Sequence, residues 1–150
     1  MADQPLSELP AELVSFLQGN RLVLLATADV EGGPANVHAV SWVVATDPHT
    51  VRLAADARSR LVRNIRADGR VVLVVPGAGG CWSAICRAEL EQDNLSGTPL
   101  HLAGFRLEVE VVRDVMFFGA ELTQAPAYGV SYNPAAAARL DEQMYAALRR

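Results

Sequence analysis

The sequence contains no lysine: its 13 basic residues are all arginines. A lineage or codon bias explains this without any functional cause. The consequence is chemical all the same, because any anion site must then use arginine, hydroxyl groups or backbone N–H groups. The basic residues are outnumbered by 17 acidic ones, which gives a formal net charge of −4. This balance gives no general reason to expect nucleic acid or an anionic membrane as a partner.

Long hydrophobic runs are also missing. The longest, such as residues 71–76, are strand-sized and far shorter than the ~20 residues that a membrane helix needs. Residues 1–5 carry no basic segment leading into an apolar run, so they predict no signal peptide. We therefore expect a cytoplasmic protein with no membrane partner.

Cysteine is scarce, and its spacing argues against a disulfide. Cys81 and Cys86 stand five positions apart in one predicted strand, so they face opposite sides and cannot pair with each other. The histidines, His38, His49 and His101, are scattered without the spacing of a metal site. The sequence predicts free thiols in a reducing compartment and no metal.

The composition is that of a folded domain. Hydrophobic residues make up 51% of the chain and charged residues 20%, which excludes a disordered tail. No repeat, linker or change of composition divides the sequence. We expect a single domain over residues 1–150.

Alternating apolar segments predict a mainly β protein. Turn-forming residues at 29–33 and 47–50 separate the first strands as hairpins, and the glycine-rich residues 76–80 predict a flexible loop. Helical periodicity marks a short helix near residues 7–19, a second at 57–67 and an apolar stripe within 134–150. Such short connections favour an antiparallel barrel with peripheral helices over a parallel sheet. The predicted strands cover residues 21–28, 34–46, 51–55, 70–75, 81–92 and 101–113.

The most informative segment is residues 54–64, where a strand ends and a helix begins. A helix N-terminus presents unpaired N–H groups and partial positive charge, which suit a phosphate. Arg60 would add a bidentate clamp and Ser59 a hydroxyl donor. The alternative is that Ser59 only caps the helix and that the arginines form a solvated face.

The ordered set of segments resembles the pyridoxamine 5′-phosphate oxidase-like family, whose members are FMN-binding split barrels. The resemblance runs from about residue 21 to residue 90. No single segment is specific, but their order is. The segments are Leu-Ala-Thr-Ala at 25–28, Gly-Gly-Pro at 32–34, residues 35–42, Ser59-Arg60, Arg-Asn-Ile at 63–65, residues 70–74 and residues 86–90.

The resemblance implies a fold, a cofactor and a site. The fold is a six-stranded antiparallel split β-barrel of Greek-key type with peripheral helices, which forms a homodimer and binds FMN at the dimer interface. Carried over by position, the implied cofactor residues are Val37, His38, Ala39 and Val40 along the flavin edge, Ala54 and Ala55 near the ribityl chain or phosphate, and Ser59 and Arg60 at the phosphate.

Several family positions are altered in this chain. Leu61 stands where the family commonly has a phosphate-binding lysine, and Ala54-Ala55 replaces the oxidase's Tyr-Thr pair. Val37 and Trp42 occupy the positions of its arginine and lysine on the hairpin strand. Because a true pyridoxamine-phosphate oxidase must also bind a second phosphate, these changes argue against that activity.

Three side chains carry both a functional and a structural interpretation. His38 would donate to a flavin atom or ligate a haem iron, or else is a satisfied polar residue of the strand. Trp82, after the glycine-rich loop, is the best aromatic candidate for a ring contact, with core packing as the alternative. Trp42 is assigned to the barrel core or a dimer contact. No catalytic residue is assigned.

Three functions follow as hypotheses. The first is an FMN-dependent oxidoreductase acting on an unidentified small molecule. The second is a relative that binds a deazaflavin or haem, because the family's barrel accepts all three groups. The third is a non-catalytic dimer without a cofactor. Residues 114–150 either cover the pocket of a partner subunit or cap the barrel.

Overall fold

The computed structural model describes residues 4–150, so residues 1–3, on which part of the signal-peptide prediction rests, lie outside the described residues. The described chain is mainly β, with peripheral helices, as predicted. Its helices are α1 (Ala11–Phe16), α2 (Arg60–Ala67) and α3 (Pro134–Arg149). Its strands are β1 (Val23–Thr27), β2 (Asn36–Val40), β3 (Val43–Asp47), β4 (Thr50–Asp56), β5 (Arg70–Gly77), β6 (Gly80–Gln92) and β7 (Leu102–Asp114).

All seven strands form one antiparallel sheet in the order β2-β1-β5-β6-β7-β4-β3. The two edge strands, β2 and β3, are consecutive in sequence and joined only by Ser41 and Trp42. A link of that length spans about 10 Å at most. The sheet must therefore curl until its two edges approach each other, which makes it a half-barrel with a split between β2 and β3.

The structure has seven strands where the sequence predicted six. The predicted strand at residues 34–46 is divided into β2 and β3 at Ser41 and Trp42. There the Val43 N–H turns back to donate to the Ser41 carbonyl at 2.9 Å, and the Ala54 N–H donates to the Trp42 carbonyl at 3.1 Å. The chain thus leaves β1 and joins β4. Neither glycine nor proline marks this break in the sequence.

The predicted turn at residues 29–33 and the predicted flexible loop at 76–80 both have well-defined geometry. Between β1 and β2, the Asp29 carboxylate accepts hydrogen bonds from the N–H groups of Glu31 and Gly33, both at 3.1 Å. Between β5 and β6, the predicted flexible loop is a two-residue turn. Its residues, Ala78 and Gly79, have φ values of 51° and 80°, as a tight hairpin turn with the twist of the strands requires.

Alternation of side chains places the core inside the curled sheet. Along β1 and β5 every second residue is buried, the pattern of strands with one face in a core. α1 closes one end of the half-barrel with the buried Leu13, and α2 packs Val62 and Ile65 against the same core. The largest fully buried side chains of the sheet are Leu25, Leu53, Leu73, Phe105 and Leu107.

α3 covers a second, smaller core on the β3 and β4 side of its own chain. Asn133 caps the helix, since its side-chain oxygen accepts from the Ala135 and Ala136 N–H groups. The apolar stripe predicted for this segment faces the protein: Met144, Tyr145 and Leu148 are buried and Leu140 packs beside them. None of the helices within residues 4–150 has the length and apolar character needed to span a membrane.

Candidate functional site

A pocket of about 300 Å³ opens at the split, between β2 on one side and β4 and the start of α2 on the other. We call it the split pocket. It brings together six of the residues that the family resemblance implied: His38, Ala39, Val40, Ala54, Ala55 and Ser59. Ser41, Trp42, Asp56 and Leu61 complete its lining.

The β2 wall of the split pocket carries one polar side chain, His38. It pairs with the buried Leu25 of β1, so its imidazole points toward the inner side of the sheet. Its Nδ1 atom is buried and has no hydrogen-bond partner among the described residues. A buried polar atom without a partner costs roughly 1–3 kcal/mol. His38 lines the split pocket, so its imidazole has a hydrogen bond to gain there that the described residues do not supply.

The β4 wall is formed by two small residues. Ala54 is buried and Ala55 half-buried, and neither carries a polar side-chain atom. Adjacent residues of a strand face opposite sides, so the Ala54 methyl packs into the second core beneath α3, while the small Ala55 side chain leaves room that a larger one would fill. The Trp42 indole lies at the back of this wall, where its Nε1 donates to the Asp141 carboxylate of α3 at 2.9 Å. Trp42 is thus held in the second core, in agreement with its interpretation as a packing residue.

Ser59 caps α2. Its hydroxyl oxygen accepts a hydrogen bond from the Val62 N–H at 3.3 Å, while its backbone takes the extended conformation of an N-cap. The helix begins at Arg60, three residues later than the sequence predicted, because residues 56–59 form a turn closed by the Ser59 N–H and the Asp56 carbonyl. The cap interpretation holds, and the same residue borders the split pocket.

Arg60 points away from the split pocket, toward the β1–β2 turn. Its guanidinium lies 3.2 Å from the Asp29 carboxylate and 3.4 Å from that of Glu31. The Glu31 side chain is 71% exposed and its pair with Arg60 lies at the surface, whereas the Asp29 side chain is only 13% exposed. The structure therefore places this predicted phosphate ligand next to the pocket and engaged elsewhere.

Asp56 brings a negative charge to the same corner. The Arg58 N–H donates to its carboxylate at 2.9 Å. That hydrogen bond, helped by the charges of Arg58 and His101, lowers the pKa of Asp56, so it is ionised at neutral pH. A carboxylate at the pocket rim opposes the binding of an anion there.

Asn64 holds the elements around the split pocket together, a role that was not predicted from the sequence. It is fully buried on α2, and its amide nitrogen donates to Thr27 Oγ1 at 2.9 Å and to Asn36 Oδ1 at 2.7 Å. Its oxygen accepts from the Val30 N–H at 2.9 Å. These bonds tie α2 to β1, to β2 and to the turn between them. The available signal was a polar residue one helical turn after Leu61, within the buried stripe of α2.

Besides Arg60, two other predicted cofactor residues, Val37 and Trp82, lie outside the split pocket. Val37 is on the outer face of β2, opposite Ala26, and is 59% exposed. Trp82 is on β6, and β1 and β5 separate that strand from β2. Trp82 packs against the core at the end of the β5–β6 hairpin and borders a separate cavity of about 740 Å³.

α3 holds the link between β2 and β3 in place. The buried Tyr145 hydroxyl donates to the Ser41 carbonyl and accepts from the Asn20 N–H, both at 2.8 Å. Burial raises the pKa of Tyr145 to about 12, so its hydroxyl stays neutral at ordinary pH. The C-terminal segment, for which the sequence left the role open, therefore stiffens one wall of the split pocket.

Comparison with solved structures shows a shared fold. A candidate pyridoxamine 5′-phosphate oxidase from Lactobacillus delbrueckii is 24% identical, with a TM-score of 0.62, over 75% of this chain and 98% of that one. An F420 reductase is 17% identical, with a TM-score of 0.55, over 65% and 93% of the two chains. HutZ, the haem storage protein of Vibrio cholerae, is 19% identical, with a TM-score of 0.52, over 68% and 90%.

Sequence comparison identifies the family. No curated protein matches the sequence significantly. The family model described as pyridoxamine 5′-phosphate oxidase matches residues 9–111, which is more than half of the chain and includes every element around the split pocket except α3. The chain therefore belongs to the pyridoxamine 5′-phosphate oxidase family, as its resemblance predicted.

Proposed function

We propose that this chain is a homodimeric FMN-binding oxidoreductase that acts on a small molecule other than pyridoxamine phosphate. The flavin ring occupies the split pocket, and its phosphate lies at the N-terminus of α2. The observation that carries this proposal is the juxtaposition of an unpartnered imidazole nitrogen, two alanines and a helix N-terminus around one opening.

The split pocket suits the ring of a flavin. Ala55 and the backbone at Ala54 leave space against one face, and Nδ1 of His38 can bond a nitrogen or oxygen at the ring edge. A volume of about 300 Å³ is at the lower end for a small-molecule site. The ring system of a flavin would therefore extend beyond the pocket, and a second copy of the chain would supply the wall against the part that extends.

The phosphate end depends on backbone N–H groups and on Arg60, which together must outweigh the repulsion from the Asp56 carboxylate at the same corner. The first-turn N–H groups of a helix have no partner within the helix, and in α2 the cap of Ser59 satisfies that of Val62. Arg60 reaches a phosphate at this point by leaving Asp29 and Glu31. The exposed pair with Glu31 contributes only about 0–1 kcal/mol, and the phosphate would replace the less exposed Asp29 carboxylate as the anionic partner of Arg60. Leu61 stands in place of the family's lysine, so the cations near this end of the pocket are Arg60 and Arg58, whose guanidinium lies 3.6 Å from the Asp56 carboxylate.

The flavin, when bound, supplies the hydride and electron transfer. The residues of this chain bind it, orient its ring and exclude water from one face, and none is assigned as a general acid or base. Activity on pyridoxamine phosphate is not proposed, because Val37, Trp42 and Leu61 provide no cation for a second phosphate. Two free cysteines, Cys81 and Cys86, support a reducing, cytoplasmic location.

The outer surface of the sheet supports a homodimer. Outward positions of antiparallel sheets that face water are usually polar. Here a continuous row of aliphatic side chains, aligned by the strand register, crosses five strands. The row consists of Val37, Ala26, Val72, Ile85 and Val111. Leu24, Ala39 and Val74 lie beside it on the same side of the sheet, and we call the whole surface the outer apolar face.

Haem is the second candidate, and one observation favours it. His38 offers an unpartnered imidazole nitrogen inside a pocket whose other walls are mostly apolar, and imidazole is a common axial ligand of haem iron. Leu61 also removes a cation that a phosphate-bearing cofactor would use. A deazaflavin shares the phosphate requirement of FMN, so it is a weaker alternative than haem.

The test is an absorbance spectrum of the purified protein, repeated after adding excess FMN and desalting. Retained flavin near one per subunit supports the proposal, whereas the intense band of a haem supports the second candidate. Retention of neither FMN, an added deazaflavin nor haem contradicts both and favours a cofactor-free dimer.

Substitution then tests the phosphate assignment. Arg60→Ala should weaken FMN binding by about 10- to 100-fold, the usual value of a charge-assisted hydrogen bond. Arg63→Ala is the matched control: it removes an exposed guanidinium from the same helix, one that donates to the Arg58 carbonyl. Equal affinities for the two variants would show that Arg60 does not bind the phosphate and is part of the solvated face of α2.

A further inference from the structure

Two phenylalanines project from the end of β7 with almost no cover. Phe117 is 72% exposed and Phe118 91% exposed, although phenylalanine is normally buried. The Val115 N–H donates to the Cys81 carbonyl at 2.7 Å, so the chain continues the edge of β7 before it projects. We call residues 115–119 the Phe strap.

The Phe strap adjoins the outer apolar face. Arg113 of β7 pairs with Ser83 of β6, in the row that continues through Val74 and Leu24 to Ala39. Arg113 is the one charged residue in that row. Val115 lies two residues farther along β7 and is 51% exposed. Ser83 and Arg113 interrupt the aliphatic side chains of this row on β6 and β7, and beyond them Val115 resumes the apolar surface that leads into the Phe strap.

The Phe strap and the mouth of the split pocket lie at the same end of the strands, on opposite sides of β5. Ala39, at the pocket mouth, shares its row with Arg113, just before the Phe strap. Between β2 and β7 lie β1, β5 and β6. Four strand spacings amount to about 19 Å over the sheet surface. The few residues from Val115 to Phe118 span about 14 Å at most, so the Phe strap does not reach its own pocket along this surface.

We infer that Phe117 and Phe118 of one copy close the split pocket of a second copy of this chain. In a two-fold dimer whose axis runs along β5, β7 of one copy faces β2 of the other. The sheet is convex on this side, so its edges diverge from the partner, and the Phe strap fills that gap. Formation of this dimer would cover the outer apolar face, the Phe strap and the pocket mouth of each copy.

This inference rests on the proposed function and adds the missing wall. The two phenylalanine rings would contact the exposed side of a planar ligand and exclude water from it. Phenylalanine has no ionisable group, so the two side chains would orient the ring by packing against it and would transfer no proton. The planar ring would then lie between small residues of one copy and the two phenylalanines of the other.

The first test mixes two defective chains and uses FMN as the probe. Ala55→Trp fills the split pocket, and Phe117→Ser with Phe118→Ser removes the Phe strap. Each variant alone should bind FMN at least tenfold more weakly than the unmodified protein. A heterodimer of the two, purified with different tags, has one intact pocket facing one intact strap. It should bind FMN with normal affinity at one site per dimer.

A heterodimer that binds no better than the strap variant would overturn the inference, because the strap would then act within its own chain or not at all. Circular dichroism and sedimentation of each variant show whether it folds and dimerises. A monomeric parent protein that binds FMN would leave the cofactor assignment standing and refute the inference.

The second test needs no cofactor. Ala39→Cys and Phe118→Cys are introduced together in a Cys81→Ser background, and mild oxidation should give a covalent dimer on a non-reducing gel. Cys86 is buried and is not expected to react. Glu12→Cys with Phe118→Cys is the control pair and should not cross-link. A cross-link without flavin binding would uphold the interface and refute the cofactor; dimers that bind flavin but do not cross-link would do the reverse.

Discussion

The split pocket has β2 on one side and the first turns of α2, which we call the α2 wall, on the other. The two walls differ in how many of their polar groups already have partners within the protein. On the α2 wall, Ser59 caps the helix, Arg60 pairs with two carboxylates, and Asn64 makes three hydrogen bonds. On the β2 wall, the one polar side chain, His38, keeps a buried nitrogen without a partner. The first wall is satisfied by the protein itself, and the second is not.

This difference separates scaffold from recognition. A satisfied polar group contributes to stability, and a ligand must displace its partner to use it. An unsatisfied buried group lowers stability and gains a hydrogen bond when a ligand arrives. The β2 wall is therefore suited to recognising a ring edge, while the α2 wall fixes the geometry and offers mainly its helix N-terminus.

The largest expected effect is on the satisfied wall. Asn64→Ala would leave the Val30 N–H and the polar groups of Thr27 and Asn36 without their partner. Because each buried unsatisfied group costs roughly 1–3 kcal/mol, the free energy of unfolding should fall by about 3 kcal/mol. Urea denaturation measures this change.

Asn94→Ala provides the control for that measurement, because Asn94 is exposed and its loss should change stability by less than about 0.5 kcal/mol. On the other wall, His38→Leu should leave stability unchanged or raise it, since it removes an unpartnered nitrogen. If His38→Leu destabilised the protein as much as Asn64→Ala, the contrast between the walls would be wrong.

Local sequence signals predicted much of the scaffold. The Asp and Gly residues of 29–33 encode the β1–β2 hairpin, because Asp29 bonds the turn's own backbone. Ser59 before an apolar helical repeat marks the start of α2. The ordered motifs identified the family. These features depend on residues close in sequence, so they can be read without the fold.

Features set by distant residues were not predictable in the same way. The break at Ser41 is fixed by Tyr145, which is 104 positions away, and nothing local signals it. The direction of Arg60 is set by Asp29, 31 positions earlier. The position of Trp82 follows from the strand order, which places β6 on the far side of β5 from the split pocket. In each case the deciding partner becomes a neighbour only after folding.

A smaller effect is expected where α3 supports the link between the two edges. The pKa of Tyr145 is raised to about 12, against 10 for a free tyrosine, so folding favours the neutral hydroxyl. This contribution is intact below pH 10 and is lost as the pH rises through 12. The free energy of unfolding should therefore fall by about 1–2 kcal/mol between pH 9 and pH 11.5.

Tyr145→Phe isolates this contribution. The variant retains Cys86, whose pKa burial also raises to about 12, so the difference between the two proteins reports Tyr145 alone. At pH 8 the variant should be less stable by about 1 kcal/mol, because the bonds to Ser41 and Asn20 are gone. Identical pH profiles would show that this hydroxyl does not titrate with unfolding.

The smallest expected effect concerns the strength of the ion pair between Arg60 of α2 and Glu31. Glu31 is 71% exposed and competes with a bound phosphate for Arg60. An exposed pair of this kind is worth roughly 0.2–1 kcal/mol, so Glu31→Gln should tighten FMN binding by about two- to fivefold and leave stability nearly unchanged. Glu12→Gln on α1 removes the same charge far from the split pocket and should alter neither quantity. Asp29 is the wrong residue for this test, because its carboxylate also closes the β1–β2 turn. A measured affinity for Glu31→Gln equal to that of Glu12→Gln would mean that Arg60 stays with Asp29 when the ligand binds. The phosphate would then depend on the helix N-terminus alone, and the α2 wall would be scaffold throughout.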